Sequence, residues 1–504
     1  MTYKPSGGIF AFTVIIVSFT LLYFRASNTR QNKQSLPILS LLIITSAYFL
    51  IFDCTYIQIF VFIFLCSLYL YWVALCTGTR LSDRLSGLII FDLLNQWFIT
   101  PFANFIAFFK AIRSAMSNKK NGKNVLLALL GIVIFLPILV PVVTLLTNAD
   151  DSFQSLWNNI TNMLNISNYT EHILRFILGI PVAAYLYGSL FGNVRKHNSD
   201  RLTEKGITLG ILAMRRIPGA IIYAPIALFN CIYVLFFAAL GSYLFSAMSG
   251  VLPETLTYAE YARKGFFELC AVAAINLCLL AVVYALLKRD GQKAPLTLRL
   301  LMGLMSLQTI LLIITAMSKM FLYISSYGLT RLRIHTTWFM ALLLIIFLLI
   351  LVWHTRNYNL AKPMILVCAF SMLVLAFGNG DGIIAKYNLN QYEKGNFKTI
   401  DYVTLVQLSD AAMPHIYESY NNSSDPLVKE NLYRVMNLMG RDMYFMESTA
   451  TDPSFFVYED IEGSGSYWSP ESYRSAKEIM AKIGFIRWNI QSYKANRIRA
   501  SLFP

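Results

Sequence analysis

The chain has 504 residues, 56% hydrophobic and only 14% charged, with a formal net charge of +15 and a mean hydropathy of +0.54. Soluble globular domains carry about a quarter of their residues as charges, so this composition excludes an ordinary aqueous protein and points to the bilayer. The basic residues are scattered through short loops rather than grouped on one soluble face, so no nucleic-acid partner is expected.

Ten apolar stretches lie in chain order at about 9–24, 36–52, 56–76, 125–147, 170–191, 220–245, 266–287, 300–325, 336–353 and 361–377. Each approaches or meets the roughly 20 residues that a helix needs to cross hydrocarbon. Such unbroken runs favour helices over the short alternating strands of a barrel. Beyond Phe377 the expected solvent changes. The 127 residues from Gly378 onward hold 13 Lys and Arg against 15 Asp and Glu, with no cysteine, whereas the first 377 hold 29 against 12. The expected fold is an all-α polytopic membrane protein, with about ten transmembrane helices in a domain over 1–377. A mainly helical (α or α+β) extramembrane domain is expected over 378–504.

An eleventh run, about 88–109, is apolar on average but carries Asp92, Asn95, Gln96, Pro101 and Asn104. Counted as a span, it sends the loop with Arg25, Arg30 and Lys33 to the side its charges disfavour. Treated as an interfacial or re-entrant element, it leaves that loop inside, together with Arg80, Arg84 and the cluster from Lys110 to Lys123. The loops around Arg195 to Arg216, Lys288 to Lys293 and Arg356 are then also inside. Both termini fall on the extracytoplasmic side of a cell membrane, and the basic loops are expected to attract anionic lipids. Helix breakers occur at Pro137 with Pro141, at Gly179 with Pro181, and from Pro218 to Pro225. The seven cysteines form no CxxC pair and read as small buried hydrophobes.

One outer loop breaks the charge pattern. Arg331, Arg333 and His335 lie where few cations are expected, and Lys319 sits near the outer end of the preceding span. Such cations bind headgroups or snorkel, or they form a docking site for acidic groups of the C-terminal domain or for an anionic ligand. Asp150 and Asp151 make an outer-loop acidic pair of the kind a membrane enzyme would need; in a loop rich in Asn and Ser such residues also form turns and caps. Over 378–504 no HExxH, GxSxG, Walker or paired CxxC motif is present. No catalytic, metal-ligating or cofactor-binding residue is therefore assigned, no cofactor is expected, and a non-enzymatic role is favoured. Asn379-Gly380-Asp381-Gly382 resembles a calcium-loop fragment without the remaining ligands, which leaves a turn out of the membrane.

In the C-terminal part, 382–393 reads as a helix and 401–408 as strand or helix. Ser409 or Asp410 caps a helix toward Tyr420, and Ser424 with Pro426 starts another through Met439. The stretch 449–468 reads as an irregular loop. Ser469-Pro470-Glu471 opens a helix running to about Arg499.

Three patterns carry a family resemblance. They are Leu146-Thr147-Asn148-Ala149-Asp150-Asp151-Ser152-Phe153, then Leu322-Tyr323 through Tyr327-Gly328-Leu329-Thr330-Arg331-Leu332-Arg333, and a C-terminal set. That set joins Ala385-Lys386-Tyr387-Asn388 to Asp401-Tyr402, Leu408-Ser409-Asp410-Ala411-Ala412-Met413-Pro414 and Arg487-Trp488-Asn489. Over most of 120–500 the chain resembles a bacterial family of multi-pass membrane proteins, the domain of unknown function 4173 and its 4153-like relatives. The resemblance implies a membrane location and no established activity. Three readings stand: a sensor or accessory protein whose outer domain docks on the bundle and recruits a membrane partner, a secondary transporter, and an enzyme acting on lipid-linked substrates. Transport by broken helices needs deep ionisable groups near the midplane, and these are sparse in the spans.

Overall fold

The computed structural model describes residues 6–29, 33–52, 55–82, 85–116, 166–197, 203–215, 218–245, 266–287, 295–356, 358–439 and 489–502, with short pieces between 131 and 157. Among them every regular element is helical. The run at 125–147 falls largely outside the described residues. So do the loop at 449–468 and the helix start at Ser469.

The first group comprises α1 (Ser6–Ala26), α2 (Leu36–Ile51) and α3 (Thr55–Thr77). It is followed by α4 (Ile89–Leu94), a π-helical turn (Asn95–Ile99), α5 (Thr100–Ala103), α6 (Phe105–Met116) and the long α7 (Ile166–Arg195). The second group has a short α8 (Glu204–Met214), then α9 (Gly219–Phe245), α10 (Phe266–Leu286), α11 (Leu296–Tyr327) and α12 (Arg331–Thr355). Next come α13 (Ala361–Phe377), α14 (Gly380–Glu393), α15 (Tyr402–Gln407), α16 (Met413–Asn422), α17 (Pro426–Leu438) and α18 (Ile490–Leu502).

Six described helices are long and apolar enough to cross a membrane, and α13 with α14, bent by 58° at Gly378–Asn379, makes a seventh if that pair is one span. These helices mark a multi-pass membrane protein. Helix α2 is apolar but has 16 residues. A helix that is apolar all round belongs in a core or in lipid, and burial separates the two. The Ile221–Ala239 window of α9 is only 22% buried, so most of its apolar surface needs lipid, whereas the α11 window is 56% buried at the centre of its group.

Helix α11 packs against α9, α10 and α12 around Met305, Ile313, Ala316 and Phe347. Polar side chains tie this group together inside the apolar shell. Tyr233 donates to Asn276 Oδ1 at 2.7 Å, Asn276 donates to Thr309 Oγ1 at 2.8 Å, and Asn230 donates to the Leu301 carbonyl at 3.1 Å. Each such bond holds helices together where apolar packing gains little over lipid. Helices α7 and α9 run continuously through Pro181 and Pro225, so neither proline breaks its helix into the separated halves of a discontinuous span. Pro137 and Pro141 lie outside the described residues.

The 88–109 segment reverses the usual amphipathic sense. Ile90, Leu94, Phe98, Phe102 and Ile106, spaced four apart, are all exposed, while Asp92, Asn95, Gln96, Thr100 and Asn104 are all buried. The polar face meets α7. Gln96 and Asn193 exchange side-chain amide bonds at 3.1 and 2.7 Å, and Thr79 also donates to Asn193 Oδ1. Asn104 donates to the His197 carbonyl at 2.9 Å. Two glycines allow the approach: a Cβ on Gly188 would meet the Pro101 carbonyl oxygen at 2.6 Å, and one on Gly192 would meet Asn104 Nδ2 at 2.5 Å. Small residues four apart let membrane helices come this close.

Cys54 lies outside the described residues, and the six described cysteines depart in part from their expected burial. Cys76 is buried and Cys66 and Cys270 are half-buried, but Cys231, Cys278 and Cys368 are exposed. They sit on helix faces turned away from the bundle, where a small thiol suits hydrocarbon as well as a core.

Candidate functional site

The C-terminal helices build their own apolar core from Ile384, Leu389, Leu405, Met413, Ile416, Leu432 and Ala495, against which Leu329 and Ile334 of the α11–α12 hairpin pack. Their ends are set by side-chain caps. Asp401 accepts from the Thr404 amide at 3.0 Å, Asp425 rather than Ser424 accepts from Leu427 at 2.9 Å, and Asn489 accepts from Ser492 at 2.8 Å. The 401–408 run is the short helix α15. Ser409 makes no side-chain cap; it precedes a 3-10 turn at Asp410–Ala412 that leads into α16.

The junction between this core and the hairpin is polar and closely fitted. Arg331 binds Asp381 through two hydrogen bonds, Nε to Oδ1 at 2.8 Å and an Nη to Oδ2 at 2.7 Å. The Ser409 amide donates to the same Oδ2 at 2.8 Å. The Asp381 side chain is 2% exposed and that of Arg331 28%. Burial pushes the Asp381 carboxyl up, but the hydrogen bonds and charge of Arg331, with the Ser409 bonds, outweigh it and hold the carboxyl below its ordinary value.

A second clasp lies beside it. Asn388 accepts from the Leu329 amide at 2.7 Å and donates to the Leu329 carbonyl at 2.9 Å, so one side-chain amide satisfies both backbone groups of a hairpin residue. Gly328 makes room: its φ is +78°, and a Cβ there would meet Asn388 Oδ1 at 2.6 Å. A third clasp closes the far side, where Arg499 of α18 binds Asp410 at 2.6 Å and the Met439 carbonyl at 2.9 Å.

The four cations named from the sequence take different roles. Arg331 reaches Asp381. Arg333 folds back on the end of α11, donating to the Tyr327 carbonyl at 2.8 Å and to the Gly328 carbonyl, with its guanidinium 4.0 Å from the Tyr323 ring centroid. A cation there satisfies carbonyls that a helix end leaves open. The His335 ring lies 5.1 Å from that of Tyr56 on α3. Lys319 is buried in α11, 2% exposed, and interacts electrostatically with Glu268 of α10. A cavity of about 210 Å³ opens beside the ion pair, lined by Arg331, His335, Asp381, Trp338, Leu375 and others.

Asp150 accepts from the Phe153 amide at 3.2 Å, a turn-capping arrangement, and Asp151 lies outside the described residues. No group of three His, Cys, Asp or Glu suited to a metal ion occurs among the described residues. From the sequence alone Asp381 reads as part of a turn, Asn388 as a pattern residue, and Asp410 as a pattern residue and a cap candidate for the helix toward Tyr420. Their partners lie 50, 59 and 89 positions away, so no local signal paired them.

These features define a multi-pass helical membrane protein whose C-terminal helices pack on the α11–α12 hairpin. The chain belongs to the family described as a domain of unknown function (DUF4153), whose model matches residues 38–419. That match takes in the 88–109 segment, the Arg331–Asp381 pair and the Asn388 clasp. No curated protein and no solved structure matches the chain.

Proposed function

We propose that this protein is a membrane sensor or accessory protein, in which the segment from Gly378 forms an extracytoplasmic domain docked on the α11–α12 hairpin. The observation that carries this reading is the twofold hydrogen-bonded Arg331–Asp381 pair at the junction. Parting a buried carboxylate from its arginine and amide leaves these groups unmet, so a partner that opens this contact or holds it closed acts on α12 through it. The charge pattern supports about ten spans with both termini outside and anionic lipid around the inner loops. The test is limited proteolysis in right-side-out vesicles: Arg331→Glu should speed cleavage within 378–504, and unchanged protection would rule out docking through this pair.

A transporter remains the second reading because polar side chains lie within the helix bundle, Gln96 with Asn193 and the buried Lys319. Polar groups in such positions mark pathways in many transporters. Reconstituted vesicles that show no flux of ions, lipids or common metabolites would remove it.

A further inference from the structure

Helix α18 has two faces of different make-up. Ile490, Tyr493, Lys494, Arg497 and Ser501 are all exposed, and their spacing places them in one stripe along the helix. The other side is turned to the protein: Ala495 and Asn496 are buried, Ile498 and Leu502 pack on the C-terminal core, and Arg499 is held by Asp410.

Charge sets the exposed stripe apart from its surroundings. The segment 378–504 holds more Asp and Glu than Lys and Arg, 15 against 13, yet α18 has three basic residues and no acidic one. Arg499 is matched by Asp410, whereas Lys494 and Arg497 form no ion pair among the described residues.

The start of α18 lies where the apolar helices end. Gln491 donates to Asn379 Oδ1 at 3.1 Å, and Asn379 sits at the bend between α14 and the apolar, 17-residue α13. Helix α18 also touches α2, whose end at Phe52 meets Phe377, the last residue of α13, with ring centroids 5.8 Å apart. Ile490 and Tyr493 flank Gln491 and so bring an aliphatic group and an amphipathic ring to the level of these helix ends, the kind of side chain that sits at headgroup depth. Lys494 and Arg497 follow within two turns, where their stems can cover the apolar edge and their charges reach phosphate. An acidic protein would have to displace lipid to meet the same stripe; the bilayer is already beside it.

We propose that α18 lies against the bilayer surface, with Lys494 and Arg497 binding anionic phospholipid headgroups and Ile490 and Tyr493 seated at the apolar edge. This rests on the placement of the segment from Gly378 outside the bilayer, and neither on signalling nor on the junction at Arg331.

The experiment is photocrosslinking of the full-length protein in phosphatidylcholine nanodiscs doped with a phosphatidylglycerol or a phosphatidylcholine probe, each carrying the same diazirine high in one acyl chain. Adducts are mapped on peptic peptides by mass spectrometry. Peptides covering 490–502 should favour the anionic probe roughly 10- to 30-fold, the scale of two basic side chains at an anionic surface, and that preference should shrink in about 0.5 M salt. Lys494→Gln with Arg497→Gln should bring the two yields level, and Tyr493→Ser should lower both. Unchanged thermal unfolding by circular dichroism shows that these variants are folded, as substitutions at exposed positions should be. No adducts over 490–502, no preference for the anionic probe in wild type, or a preference undiminished in the double variant overturns the proposal. Adducts of both probes over 413–438 would instead put the segment from Gly378 within the bilayer and overturn the placement on which the proposal rests.

Discussion

Replacing Asp381 by Asn keeps the size of the side chain and removes the charge that Arg331 and the Ser409 amide hold. Breaking a fully buried ion pair by removing one partner costs about 3–5 kcal/mol. Here the Asp381 side chain is 2% exposed but that of Arg331 is 28%, so screening at the arginine lowers the expected loss to about 2–3 kcal/mol. With a factor of ten for each 1.4 kcal/mol, local opening of α14 against the hairpin should become roughly 30- to 150-fold more frequent. Amide hydrogen exchange in nanodiscs, read on peptides covering 380–438, measures that opening directly. The double variant Arg331→Met with Asp381→Asn should lose less than the sum of the single losses, because the second change removes the partner the first left stranded. Exchange within threefold of wild type, or strict additivity, would show that the pair does not hold the junction.

Acid should act on the same contact. Because the Asp381 carboxyl is held below its ordinary value of 3.8, its contribution is complete above that value and is lost as pH falls through the lower folded value. Exchange at the junction should therefore accelerate below about pH 4, and Asp381→Asn should flatten that dependence. Burial and the charge of Lys386 lower the His415 pKa, against the opposing pull of Glu418. Protonation then favours the unfolded state as pH drops below 6.5, and His415→Gln should reduce the loss of stability between about pH 6.5 and 5. Gly328→Ala meets both a φ of +78° and the Asn388 amide, so it should destabilise the junction by about 1–3 kcal/mol, seen as faster exchange over 388–400. Gly188→Val would push α7 off the Pro101 carbonyl, with a loss of about 1–3 kcal/mol in thermal unfolding of the detergent-solubilised protein.

The apolar stretches could be read because a span must be apolar over its whole length. Thus 361–377 matches α13, and 266–287 matches α10 to within one residue. The 88–109 segment was harder. Its polar residues were visible as exceptions to an apolar run, yet their spacing already carried the answer: Ile90, Leu94, Phe98, Phe102 and Ile106 mark one face, and Asp92, Gln96 and Thr100 lie off it. In a bilayer the polar face turns inward, and Gly188 with Gly192 is the partner signal on α7. Arg331, Arg333 and His335 looked like one basic patch because the sequence gives proximity along the chain only. Arg333 is absorbed by the end of α11 and His335 by Tyr56. The partner of Arg331 could not be chosen among the acidic residues of the C-terminal part until α14 turned Asp381 toward it.

The most direct measurement of docking is the distance between spin labels placed on the exposed residues Tyr327 and Glu418, in a cysteine-free background in nanodiscs. A single narrow distance distribution is expected for wild type, broadening when Arg331→Glu is added. A broad distribution already present in wild type would contradict a C-terminal segment seated on the α11–α12 hairpin.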